Sequence, residues 1–145
     1  MTPINDADLK LRAAHGGSGW LTHQDGGWAV PGVVLEGAWA VGQDILCATT
    51  DDVPYEEALH FSLLGPHQRN EHLTLGAAYA TGIFAPLDVR DRTLLFRFFG
   101  SQVWSITVDQ RPRVHLPFLN DPPGVRRTLS LRTRLRISIL RKGII

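Results

Sequence analysis

The chain has 145 residues, a formal net charge of +1, 43% hydrophobic and 20% charged residues, which is the composition of one globular domain rather than a disordered segment. A chain this long buries roughly 70% of its unfolded surface, so a core can form without staples. The single cysteine, Cys47, excludes an internal disulfide and points to a reducing compartment.

No apolar run approaches the ~18–20 residues of a membrane helix. The polar start, Met1-Thr-Pro-Ile-Asn-Asp-Ala-Asp8, lacks the basic and apolar regions of a secretory signal. The expectation is a cytoplasmic protein with no membrane association.

Residues 1–20 predict an N-terminal arm or short helix, ahead of a single β domain over residues 21–145. Asn5 or Asp6 would cap that helix, Leu9 and Leu11 would lie inside it, and Gly16-Gly17 would end it. Gly16-Gly-Ser-Gly19 reads as a flexible joint.

From Trp28 onward the pattern is β. Val33–Val41, the turn cluster Gly42-Gln-Asp44 and Ile45–Thr49 form a hairpin. Asp51-Asp-Val-Pro54 breaks the chain. Ala58–Leu64 alternates, with Leu59, Phe61 and Leu63 on one face. After a polar loop over Gly65–Asn70, Leu73-Thr-Leu75 resumes the pattern. The small residues of Gly76–Gly82 suit a bend, or a ligand lying against bare backbone.

Thr93–Phe99 and Gln102–Val108 flank Gly100-Ser101, a two-residue hairpin loop. That register sets Arg97 opposite Trp104, as a cross-strand cation–π pair. Both faces are apolar, which places the hairpin centrally. Pro112, Pro117 and Pro122-Pro123 break up the next segment, and Phe118–Gly124 reads as a loop. From about Thr128 to Arg141 basic and apolar residues alternate. A strand that long should bend or bulge, near Thr133.

These elements predict an all-β fold: an antiparallel β-sandwich or partly closed β-barrel of roughly eight or nine strands. The expected core is Val34, Trp39, Leu46, Phe61, Leu63, Phe96, Phe98, Trp104, Ile106, Leu135 and Ile137. Gly37-Ala-Trp39 is similar to the Gly-x-Trp that opens the first strand of lipocalin-like barrels. The resemblance covers three residues. It implies a small barrel with a pocket, and a late-strand arginine packed on the tryptophan.

Catalytic motifs are missing. There is no Gly-x-x-x-x-Gly-Lys-Ser/Thr, no Gly-x-Gly-x-x-Gly after a strand and no Gly-x-Ser-x-Gly. Cys47 falls inside a strand and reads as structural. His60, His67 and His72, with Glu71, match no specific metal spacing, so no metal and no cofactor is expected. Asp51-Asp52 and Glu56-Glu57 read as solvated turn residues, and no catalytic residue is assigned.

Charge is the informative feature. Arg111–Ile145 carry nine basic side chains and one acidic one; residues 1–110 carry six basic and thirteen acidic. Arg132, Arg134 and Arg136 have three readings. They form the wet face of an edge strand, meet acidic surface of this chain or a second copy, or bind an anion. Nucleic acid is disfavoured by the near-neutral total, and by the lack of aromatic residues in the basic strand.

The functional expectation is a non-enzymatic binding or interaction domain that self-associates through complementary charged surfaces. The alternative is a barrel that binds a small-molecule ligand, or a small β-fold enzyme, with a pocket near His60, Arg97 and Trp104.

Overall fold

A computed structural model describes residues 1–53, 57–66, 70–76, 82–116, 121–127, 130 and 132–140. Its strands are β1 (Thr2–Pro3), β2 (Leu9–Ala13), β3 (Ser18–His23), β4 (Gly26–Pro31), β5 (Val34–Val41), β6 (Asp44–Thr50) and β7 (Leu59–Leu64). They continue as β8 (Glu71–Leu75), β9 (Ala85–Arg90), β10 (Thr93–Arg97), β11 (Trp104–Val114), β12 (Val125–Arg127) and β13 (Arg132–Ile139).

The strands form three antiparallel sheets, ordered β1-β5-β6-β7-β8-β12, β13-β11-β10-β9 and β2-β3-β4. None closes on itself, so the fold is a sandwich and not a barrel. The six-stranded sheet lies in the middle. Leu46, Leu59, Phe61 and Leu73 on one face meet Leu94, Phe96, Ile106 and Leu135 of the four-stranded sheet. On the other face Ala38, Ile45, Cys47 and Leu64 meet Leu9, Leu21 and Val30 of the three-stranded sheet.

This layering explains a sequence feature. A sheet covered on both faces needs strands without a polar side. All six residues of β7 are buried, and so are six of the seven in β6. Each fully buried Leu or Phe contributes about 1.5–3 kcal/mol. Phe61 packs on Phe96 with ring centroids 5.0 Å apart, and Phe96 stacks on Trp104 at 6.5 Å.

Several expectations need correction. The N-terminal arm or short helix expected over residues 1–20 is mostly strand: Leu9 and Leu11 are two apart on β2, and the helical turns within residues 1–20 are two short 3-10 ones, at Asp6–Asp8 and His15–Gly17. Asn5 does cap the first, its Oδ1 accepting from the Ala7 amide at 3.1 Å. Gly16 and Gly17 both take positive φ, so they form a turn between two paired strands. Val34 is exposed; the other ten expected core residues are buried. Trp39 packs edge-on against Phe84, in a sheet that does not close, so the lipocalin-like resemblance ends at its three residues.

The Thr93–Val108 hairpin supplies the two inner strands of its sheet, but only one of its faces is apolar. Leu94, Phe96, Trp104 and Ile106 meet the middle sheet, while Thr93, Thr107 and Ser105 on the other face pair through their hydroxyls. The register differs from the expected one by one residue. Phe96, and not Arg97, pairs with Trp104. The connection spans Phe98–Val103 instead of Gly100-Ser101 alone. A one-residue slip moves every side chain to the other face, so Arg97 is exposed while Phe96 and Trp104 share the core.

In the last strand the alternation holds. Thr133, Leu135 and Ile137 face inward, and Arg132 and Arg136 face out. The irregularity expected near Thr133 belongs to its partner. Between Val108 and Arg113, β11 inserts four residues opposite Arg134 alone. Pro112 lies in that insertion; it lacks an amide hydrogen, so the ladder must break there. The interior of the Gly76–Gly82 segment, the start of the Phe118–Gly124 loop, and Thr128, Leu129, Leu131 and Arg141 lie outside the described residues.

Candidate functional site

His60, Arg97 and Trp104 do not converge. His60 alternates with Phe61 on β7, so it projects from the face of the six-stranded sheet opposite the Phe61–Trp104 core. Trp104 is buried in that core, and its Nε1 has no acceptor among the described residues. Such an orphaned donor costs roughly 1–3 kcal/mol. Arg97 is exposed.

His60 is part of a polar chain. Its Nε2 lies 3.0 Å from Asp51 Oδ1 and its Nδ1 2.8 Å from Thr74 Oγ1. A neutral imidazole there donates to the carboxylate and accepts from the hydroxyl. One step along the sheet, His72 Nδ1 meets Ser62 Oγ at 2.8 Å. Burial, then the neighbouring His60, hold the His72 imidazole below its usual pKa, while Glu71 opposes them.

Hydroxyl, imidazole and carboxylate in sequence is the order of a nucleophilic triad. Yet His60 is only 8% exposed, and both of its ring nitrogens are already taken up by Asp51 and Thr74. The chain satisfies polar groups inside the fold. Cys47, beside Ser62, is equally enclosed, and burial pushes its thiol up to about 12. His67 and Glu56 lie outside the described residues.

The basic strand is an edge strand, and its arginines differ in what they meet. Arg134 Nη1 donates to Asp44 Oδ2 at 2.7 Å and Nε to the Asp109 carbonyl at 2.9 Å. Arg136 Nη2 donates to Asp109 Oδ1 at 3.1 Å. Arg132 is exposed and has no acidic partner among the described residues. Among the described residues, the acidic partners of this strand's arginines are Asp44 and Asp109.

The β11 insertion opens a second group of arginines. With the β9–β10 turn it forms a groove of about 560 Å³ lined by Arg92, Arg111, Arg113 and Arg136. Asp91 and Asp109 are the acidic lining residues. Asp109 is nearly buried and takes both Arg136 and Arg113, the latter at 3.6 Å. Arg92 is fixed to β11 twice: its carbonyl accepts from the Val108 amide at 3.0 Å, and its Nε donates to the Val108 carbonyl at 2.7 Å. Its terminal amino groups have no acceptor among the described residues.

Four guanidinium groups and two carboxylates leave a cationic groove, and guanidinium geometry suits oxyanions. Sequence reasoning placed Arg136 in an anion site but missed Arg92, Arg111 and Arg113. One signal was present: Pro112 between two arginines, inside a strand-like run, marks a bulge that re-aims its neighbours. Comparison with known proteins finds no matching family, no matching characterised protein and no matching solved structure.

Proposed function

We propose that this chain is a non-enzymatic binding domain whose arginine-lined groove takes a small oxyanion, of phosphate or carboxylate chemistry. The observation that supports this reading is the fixed Arg92. Its guanidinium is held by Val108 before any ligand arrives, so little side-chain entropy remains to be lost on binding. Arg111, Arg113 and Arg136 surround the same space.

Titration calorimetry with pyrophosphate at low salt tests it. Saturable binding is expected. Arg92→Gln should weaken it about tenfold or more, because a hydrogen bond to a charged group contributes roughly 1.5–3 kcal/mol. Arg132→Gln, outside the groove, should leave it unchanged. An absence of binding, or equal affinity in Arg92→Gln, would overturn the reading.

Self-association is the second reading, favoured by a complementary surface. A separate hollow of about 720 Å³ is lined by Asp8, Asp25 and Asp44, the last already paired with Arg134, and its lining holds no lysine or arginine. A cationic groove meeting such a hollow on another copy makes a head-to-tail contact. Light scattering should then show oligomers at low salt that dissociate at high salt. A monomer at every salt concentration removes this reading.

A further inference from the structure

The outer face of the β2–β4 sheet combines an exposed aromatic ring, two cations and bare backbone. Leu9, Leu11, Leu21, Trp28 and Val30 turn inward. Lys10, Arg12, Trp20, Thr22, Gly27 and Ala29 therefore turn outward. No carboxylate stands among them. Trp20 is 47% exposed, and among the described residues no other aromatic side chain is so open. Arg12 pairs directly with Trp20, and Lys10 with the next outward residue, Thr22. Neither cation has an acidic partner among the described residues.

The exposure of Trp20 is built into the sequence. Its indole lies across Gly27, where a Cβ would stand 2.7 Å from Cζ2, 2.9 Å from Cε2 and 3.0 Å from Nε1. Any other residue at position 27 would displace the ring. Beside the ring is a hollow of about 440 Å³, bordered by Gly26, Trp28, Pro66 and Asn70. A flat ring thus lies over one strand while positive charge lines the strand two places away, roughly 10 Å across at the usual strand spacing.

We propose that this face binds single-stranded nucleic acid, with one base stacked on Trp20 and the adjoining phosphates at Lys10 and Arg12. Base–aromatic stacking beside a cationic strip is the usual means of binding single strands without sequence preference. The basic strand β13 lacked the aromatic half of that pair; this face supplies both. It is also distinct from the arginine groove, which holds no aromatic residue.

The test is titration of the full chain with a short single-stranded oligothymidylate, read by tryptophan fluorescence and anisotropy. Saturable binding with quenching is expected. Trp20→Ala should weaken it about tenfold or more, and Gly27→Val, which keeps a good strand former but displaces the indole, should do likewise. Lys10→Gln with Arg12→Gln should lower the slope of log affinity against log salt by about 1.4, at roughly 0.7 per phosphate. An abasic oligonucleotide should bind as weakly to the wild type as the oligothymidylate binds to Trp20→Ala. Arg97→Gln, at an exposed arginine that belongs neither to this face nor to the groove, should leave oligonucleotide binding unchanged. No saturable binding, or equal binding by wild type and Trp20→Ala, would overturn the proposal.

Discussion

Arg134 and Asp44 tie two different sheets together at one end of the sandwich, with Arg134 Nη1 2.7 Å from Asp44 Oδ2. Glu71 of the middle sheet works beside them. Its carboxylate accepts from the Arg134 and Leu135 amides, at 2.8 and 3.2 Å, and from the Thr133 hydroxyl. The arginine strand is therefore held by charge on its edge and by Leu135 and Ile137 in its core.

That arrangement predicts coupling between residues ninety positions apart. Arg134 and Asp44 side chains are 24% and 17% exposed, so the pair is partly shielded from solvent. Arg134→Met and Asp44→Asn should each destabilise by about 1–2 kcal/mol in urea denaturation. The double variant should cost less than the sum, leaving a coupling energy of about 1 kcal/mol. Strict additivity would mean that the bridge contributes nothing.

A second ion cluster is more deeply buried. Arg127 donates to both Asp121 oxygens at 2.7 and 2.9 Å, and His115 Nε2 lies 3.0 Å from the same carboxylate. Arg127 also donates to Thr133 Oγ1 and the Leu135 carbonyl. Asp121→Asn leaves the guanidinium without its counter-charge and should cost about 3–5 kcal/mol. A denaturation midpoint within error of the wild type would contradict the cluster.

The hairpin register has a direct mutational signature. Phe96→Ala should cost about 3–5 kcal/mol, since Phe96 packs on Phe61, Phe84 and Trp104. Arg97→Ala should stay within about 0.5 kcal/mol. The reverse order would restore the cation–π register expected from a two-residue loop.

His72 gives the fold an acid limit. Its folded-state pKa lies below the ordinary 6.5, so the unfolded chain binds the proton more readily. Its effect is absent well above pH 6.5 and grows as pH falls through that value. It levels off once pH drops below the folded pKa. His72→Gln should therefore lose less stability than wild type on acidification from about pH 7.5 to 5, measured by urea midpoints. Parallel losses in the two proteins would show that another group sets the limit.

The parts of the fold legible in the sequence are those that period-two patterns record. Leu59, Phe61 and Leu63 announced one face of β7, and Leu135 and Ile137 the inner face of β13. Leu9 and Leu11 were ambiguous: two leucines, two apart, before a glycine pair fit a frayed helix or a strand, and pairing with β3 decides it. The hairpin slipped by one because register depends on loop conformation, and Gly100 takes positive φ within a longer connection. Arg134 with Asp44, and Arg92 with Val108, are pairings of distant or turn residues that no local pattern encodes. The groove could be anticipated only through Pro112.

The most direct test of the binding account is amide chemical-shift mapping of the full chain titrated with pyrophosphate at low salt. Saturable shifts confined to Arg92, the Asp109–Arg113 insertion and Arg136 are the predicted result. Shifts centred elsewhere, or none, would contradict the assignment of the arginine groove as the ligand site.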